Sequence, residues 1–452
     1  MRKKMVIIGA GSVVFTIGLV ADLIRNPGKH KWQLSLVDID PIVLDAITLL
    51  CGKMIKSQDA DIVMCHSTNR CDVLKDADYV VSTIGVGGRR AWEHDVFIPR
   101  KYGVFQPVGD TSMPGGISRA MRMIPAMLDI TKDIIALCPR ARFFNFSNPM
   151  TAICRGVRKA TGFPLVGLCH GVNYMEEYIA DFAGFERDKF TCYSIGINHL
   201  TFMYDMRYEG ADAKPLVAQK LEGVRKRGID CTKVGDCFME MGEETKGDRE
   251  PFAWSIFQTH GAFPAPGDRH ITEFFTERFP GGKYYGKTLG LDAYTFEGVI
   301  KEGDDTFNRI RDLAYSHEPL PEDFFAHASG EHEQLMDIIN SIEYDKRRIF
   351  SVNIQNNGAV PNLPFDAVLE MPGAATSKGF CALHLTDFPD TLAAIVSKNL
   401  AIIEVTVEAA LKGDKDLFAE AILMGGYITD VDAVKRMVDE LINAQKQYLP
   451  QF

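Results

Sequence analysis

Short apolar runs alternate with amphipathic stretches through the first 190 residues. KMVIIGAG, starting at Lys4, is apolar on both faces and predicts a buried strand, and Val13 to Arg25 carries helical spacing. WQLSLVDID (Trp32–Asp40) predicts a second strand and Pro41 to Gln58 a second helix. ADYVVSTIG from Ala77, RFFNFSN from Arg142 and PLVGLCH from Pro164 repeat the strand pattern, with a helix predicted over Ile117 to Leu137. Buried strands separated by amphipathic helices predict a parallel, doubly wound α/β sheet. Near Lys189 the pattern changes. FTCYSIGINHLTFMYDMRY (Phe190–Tyr208) has the length and alternation of antiparallel strands, the chain from about Lys214 is charged and helical, and Thr386 to Leu449 is helical again. The division expected is one unit over residues 1–190 and a mixed α+β unit over 191–452. No linker-like or repetitive stretch separates them, which predicts a shared cleft.

Composition narrows the partners. The chain has 452 residues, 46% hydrophobic and 24% charged, with a formal net charge of −10. That excess of acid repels phosphate backbones and anionic lipid surfaces, so neither nucleic acid nor a membrane is an expected partner. An anionic substrate would need positive charge concentrated in a pocket. The ten cysteines are irregularly spaced with no C-x-x-C pair, unlike a disulfide framework. The opening MRKKMVIIGAGSVVF lacks the continuous apolar run and cleavage site of a secretion signal, and no run of about 18 apolar residues occurs, so a cytoplasmic location is expected.

Gly9 and Gly11 follow the first strand and open a helix. The first glycine permits a tight turn; the second lets the backbone approach a pyrophosphate held at the helix N-terminus. Val14 stands at the third fingerprint position. Asp38 closes the second strand, 27 residues beyond Gly11, where a ribose-binding acid belongs. An acid there favours NAD over NADP, whose 2′-phosphate it would repel. This is a Rossmann-type signal, and Gly85, in the glycine-rich loop Ile84–Gly88 after another strand, is a further candidate to line the cofactor crevice.

Three polar groups sit at carboxyl ends of strands: Asn148 before Pro149, Cys169 beside His170, and His199 after Asn198. They are expected to point into one crevice. Thiolate and imidazole suit a borderline divalent ion, with substrate oxygens completing its shell.

Taken together, GAGS (Gly9–Ser12), GD-x-x-x-PGG (Gly109–Gly116), SNPM (Ser147–Met150), CHG (Cys169–Gly171), GINH (Gly196–His199), GDRHITEF (Gly267–Phe274) and NNGAVPNLP (Asn356–Pro364) resemble the family 4 glycoside hydrolases, in order and over most of the chain. The resemblance implies a fold like that of lactate and malate dehydrogenases, NAD held by Gly9, Gly11, Ser12, Asp38 and Gly85, and a divalent metal, usually manganese, on Cys169 and His199. It implies a homodimer or homotetramer, and redox-assisted elimination. In that mechanism NAD takes hydride from C3, a base removes the acidified C2 proton, the glycosidic oxygen leaves, water adds and the hydride returns. Asp268 is the candidate C2 base, His170 the candidate proton donor to the leaving group, and Asp110 a further acid–base candidate. Asn148 is expected to contact sugar and metal. Met113 stands where the family commonly has glycine.

His170 after the cysteine argues for an unphosphorylated substrate, and GDRH with the VGDT segment resembles members acting on α-linked uronic acids. Arg269 and His270 are then expected to bind the C6 carboxylate. Gly171 in CHG leaves a neutral α-glucosidase or α-galactosidase open. A lactate- or malate-type dehydrogenase shares the fold but needs no such metal site.

Overall fold

The computed structural model describes residues 2–226, 250–327 and 334–452. One thirteen-stranded sheet dominates it. Its parallel half is built from β1 (Lys3–Ile8), β2 (Trp32–Val37), β3 (Ile62–Ser67), β4 (Tyr79–Ser82), β5 (Arg142–Asn145) and β6 (Val166–Gly167). The order β3-β2-β1-β4-β5-β6 reverses direction between β1 and β4, the switch point of a doubly wound fold. Period-two alternation explains its burial. Val6 and Ile8 of β1 enter a core formed with the helices Met113–Leu137 and Met150–Thr161, and Met5 and Ile7 enter another formed with Thr16–Arg25 and Pro41–Ser57.

Beyond β6 the same sheet continues antiparallel. β7 (Phe190–Ile197) and β8 (Leu200–Tyr208) form a hairpin, with β9 (Ala211–Asp212) and β10 (Phe263–Ala265) on β8. Lys283–Tyr284 and Lys287–Thr288, β11 and β12, form a separate ribbon. Between β6 and β7 lie two strands from late in the chain, β13 (Arg348–Gln355) and β14 (Val368–Thr376), with β15 (Gly379–Ala382) on β14. The sheet thus crosses residue 190 without a break. The later helices also return to the first half: Phe296–Tyr315 packs on Pro41–Ser57, and Asp390–Lys412 on Met113–Leu137 and Met150–Thr161.

The alternating strands and helices of the first half lie where the pattern predicts them, as does the 190–208 hairpin. The terminal helical stretch resolves into Asp390–Lys412, Lys415–Met424 and Val431–Gln445. The first helix starts at Thr16 rather than Val13, and only Val166–Gly167 of PLVGLCH pairs as strand. Part of the helical stretch expected from Lys214 onward lies outside the described residues. Among the described residues no helix is long and apolar enough to cross a membrane.

A buried ion pair ties the C-terminal helix to the glycine-rich loop after β4. Arg122 donates to both Asp95 oxygens at 2.9 and 2.5 Å and, through Nε, to the Val86 carbonyl at 2.9 Å. Ser118 and Gln445 also donate to Asp95. Both charged side chains are essentially inaccessible. Removing one partner strands the other charge in the core, which costs about 3–5 kcal/mol. Asp95→Asn should therefore lower the unfolding free energy by about that much in urea titrations; a loss below about 1 kcal/mol, within the range of an exposed pair, would contradict a fully desolvated one.

Candidate active site

The site begins at the turn after β1. Gly9 has φ +86°, and a Cβ there would lie 2.7 Å from the Ile84 backbone nitrogen. A Cβ on Gly11 would meet Val43 Cγ1 at 2.2 Å and Asp38 Oδ2 at 2.8 Å. Both positions exclude a side chain, so the backbone here is bare enough for a diphosphate. Asp38 Oδ2 accepts from the Gly11 N–H at 2.8 Å and Oδ1 from the Asp40 N–H at 3.0 Å, which fixes the acid at the rim of the turn. Ser12 closes the turn by donating its N–H to the Gly9 carbonyl at 3.0 Å, and its hydroxyl accepts from the Phe15 N–H. Gly85 lies in the adjoining loop after β4, within van der Waals reach of the Arg119 guanidinium. Glycines, acid and loop fit a dinucleotide.

Along the same edge, four segments converge. Asp110 lies between β4 and β5 in sequence, just before the helix Met113–Leu137; Asn148 follows β5; His199 tips the β7–β8 hairpin; His270 lies in the short helix Asp268–Ile271. One ligand atom each from Asp110, His199 and His270 lie within 4.8 Å of one another, a set able to hold a metal ion. Carboxylate oxygen and imidazole nitrogen suit divalent first-row ions. The Asn148 amide donates to Asp110 Oδ2 at 2.8 Å, while its buried Oδ1 has no hydrogen-bond partner and is left to serve a ligand.

The Thr111 hydroxyl sits 2.8 Å from Asp110 Oδ1 and 2.9 Å from His199 Nδ1. A hydroxyl has one proton. If Thr111 gives it to the carboxylate, His199 must carry its proton on Nδ1, which leaves the Nε2 lone pair free for a metal. Burial drives His199 down to about 4 and His270 well below the usual imidazole range, so both rings are neutral ligands at pH 7. The rings lie 4.1 Å apart. His199 also has φ +67° in a two-residue hairpin loop, a left-handed conformation that costs roughly 1–3 kcal/mol for a non-glycine residue.

The remaining expected residues divide. Arg269 is half-buried and its charge acts on His199 and His270. Its Nε is buried without an acceptor, and among the described residues it forms no ion pair. Its two nearest candidate partners in sequence are committed elsewhere. Glu273 accepts the Val108 and Gly109 N–H groups at 2.8 and 2.7 Å. Asp268 is fully buried and accepts the Phe252 and Ala253 N–H groups and the Tyr284 hydroxyl at 2.7–2.8 Å, capping the helix Pro251–His260. Asp268 thus has a structural place outside the trio, and Asp110 is the carboxylate inside it. Cys169 is near the trio but not in it: its sulfur accepts the Gly171 N–H at 3.4 Å, and burial pushes the thiol up. His170, at the start of the helix Gly171–Ala183, is close enough to act electrostatically on both trio histidines.

Four contributors went unread in the sequence: Thr111, Glu273, Arg119 and Glu370. Thr111 lies inside the GD-x-x-x-PGG motif and Arg119 just after it, their one sequence signal. Glu370 of β14 is buried, donated to by Thr201 at 2.8 Å and pushed up to about 7 by desolvation.

Two family models match the chain: "Family 4 glycosyl hydrolase" over residues 4–185 and "Family 4 glycosyl hydrolase C-terminal domain" over residues 194–425. An α-galactosidase of Rhizobium meliloti (strain 1021) is 29% identical, with 99% of this chain and 89% of the relative covered. An α-galacturonidase of Lachnoclostridium phytofermentans is 27% identical, covering 99% and 97%. Among solved structures, a 6-phospho-α-glucosidase from gut microorganisms, in complex with NAD and Mn2+, superposes with TM-score 0.83 over 100% of both chains at 18% identity.

Two outcomes follow from this geometry. His199→Gly suits the left-handed turn but removes a metal ligand. The ion-free variant should melt within a few degrees of the parent while its Mn2+ affinity, read by calorimetry, collapses; unchanged affinity would remove His199 from the site. The second concerns pH. Burial pushes Glu273 up to about 8 from the ordinary glutamate value of 4.5. The folded state keeps this proton where the unfolded state loses it, so stability falls as pH rises from about 4.5 to 8. Glu273→Gln removes that dependence, so the unfolding free energy of the parent minus that of the variant should fall by a few kcal/mol across this window. A flat difference would mean that Glu273 is ionised in the fold.

Proposed function

The chain belongs to the family 4 glycosyl hydrolases, and on that premise we propose that it hydrolyses an unphosphorylated α-linked uronide, using NAD and a divalent ion such as Mn2+. The observation that carries the substrate choice is Arg269: a half-buried guanidinium beside the trio, its Nε unpaired and in no salt bridge among the described residues, with Glu273 reached by its charge only at a distance. A permanently charged group taken out of water is costly until an anion meets it, and the carboxylate of a uronic acid supplies one in a planar, bidentate form. Relatives named for neutral and for uronic substrates differ little in identity, 29% against 27%, so the overall likeness does not favour either.

Bound in this site, NAD supplies reversible oxidation at the sugar, and the ion supplies positive charge where the C2 proton is lost. The chain's own groups do the rest. The turn at Gly9–Ser12 receives the diphosphate and Asp38 the ribose hydroxyls. Asp110, His199 and His270 hold the ion, and Asn148 Oδ1 completes the contact to ion or sugar. Asp110, with both oxygens already hydrogen-bonded, is oriented to accept the C2 proton. His170, close enough to act on both trio histidines, is assigned here to hand a proton to the departing oxygen. Cys169, at the end of the neighbouring strand, remains a candidate ligand.

The test is a pair of p-nitrophenyl glycosides, α-galacturonide and α-galactoside, assayed with NAD, Mn2+ and a thiol reductant. The parent should prefer the uronide. Arg269→Ala should lose roughly 2–5 kcal/mol of transition-state binding on the uronide and much less on the neutral sugar. A parent that prefers the neutral glycoside would replace the uronidase reading with the α-glucosidase or α-galactosidase one.

A further inference from the structure

A second guanidinium lies at the same sheet edge and was not suspected from the sequence. Arg119 projects from the helix Met113–Leu137 toward the carboxyl ends of β4 and β5. Its Nε donates to the Asn148 carbonyl at 3.0 Å, and its guanidinium carbon lies 5.7 Å from the centre of the Trp92 ring. A Cβ placed on Gly85 would be 3.6 Å from its Nη2. Arg119 therefore stands between the residue that anchors Asp110 and the loop that lines the cofactor crevice.

It forms no ion pair among the described residues, and the charges of Asp110 and Asp95 reach it only across space. One helical turn on, Arg122 takes both oxygens of Asp95. Asp110, the other nearby acid, is held by Thr111 and Asn148. Burial, the largest cause, and the neighbouring Arg122 work against the charge on Arg119, and Asp110 and Asp95 offset them only in part. Packing on Trp92 contributes on the order of 1 kcal/mol, far short of the several kcal/mol that desolvating an unpaired ion costs. This is a cation prepared for an oxyanion.

Two oxyanions could reach it: the diphosphate of the dinucleotide and the carboxylate of the sugar. The bare turn at Gly9–Ser12, with its helix N-terminus, already serves the first. The oxidised cofactor also brings a positively charged ring into this crevice, which makes a bare cation there less favourable unless an anion joins it. We infer that Arg119 is a second receptor for the carboxylate of the uronide, acting from the cofactor side of Asp110 while Arg269 acts from the His270 side. This rests on the uronide reading above.

The experiment is equilibrium binding by calorimetry to the full chain loaded with Mn2+, using sodium galacturonate, galactose and NAD as separate probes. Arg119→Gln removes the charge, and Arg119→Lys keeps it without the fork. The result expected is galacturonate affinity weakened by about 30-fold or more in Arg119→Gln and by less in Arg119→Lys, with NAD affinity within twofold of the parent in both. Galacturonate affinity within twofold of the parent in Arg119→Gln would overturn the inference while leaving the uronide reading in place. Weakened NAD affinity with unchanged galacturonate affinity would also overturn it, and would assign the guanidinium to the diphosphate. A parent that binds galactose but not galacturonate would remove the uronide reading itself.

Discussion

The arrangement depends on how Asp110 is held. Thr111 and Asn148 each donate to one of its oxygens, and Thr111 also meets His199. Through those bonds the segment before the helix Met113–Leu137, the end of β5 and the β7–β8 hairpin share one point. Glu273 adds a fourth segment, because its carboxylate receives the N–H groups of Val108 and Gly109 while the same stretch of chain carries Arg269 and His270. No member of the trio is placed by its own element alone. A shift in any one segment propagates into the ligand geometry, since the bonds that hold Asp110 and His199 are shared between segments.

The local electrostatics run against the chain's acidity. The formal net charge is −10, yet burial raises the acids nearest the site toward their neutral forms: Glu273 to about 8, Glu370 to about 7 and Asp268 to about 6. Arg119 and Arg269 cannot respond in the same way, because a guanidinium stays charged at any ordinary pH. Desolvation therefore suppresses part of the negative charge and leaves the positive charge in place. A crevice of that kind attracts an anion even though the surface around it does not.

Much of this was legible in the sequence, for reasons that can be named. The apolar run of β1, the bare glycines after it and Asp38 at the end of β2 are local signals, and they mark a dinucleotide turn without any tertiary information. The hairpin that carries His199 and the strand end that carries Asn148 were legible for the same reason. What stayed hidden depends on distant pairing. β13 and β14 enter the sheet between β6 and β7 from more than 150 residues away in the chain, and β14 carries Pro372 and Gly373, residue types that weaken a strand pattern. Asp268 is a candidate base on sequence because it stands beside an arginine and a histidine. Its partners, Phe252 and Ala253 at a helix start and Tyr284 beyond it, are visible only in the fold. Arg119 looked like one helical arginine among several, since nothing local shows that Asp95 is claimed by Arg122.

At the centre of this account, the crevice cleaves a glycoside by oxidising C3 and then removing the C2 proton, before the glycosidic oxygen leaves. The most direct test is to hydrolyse an α-galacturonide in deuterium oxide, with catalytic NAD and Mn2+, and to read the released sugar by proton NMR. The account predicts deuterium at C2 of the product with no net accumulation of NADH. A product that keeps its original C2 proton while the glycosidic bond is broken would contradict it, because a pair of carboxylates acting at C1 never touches that position.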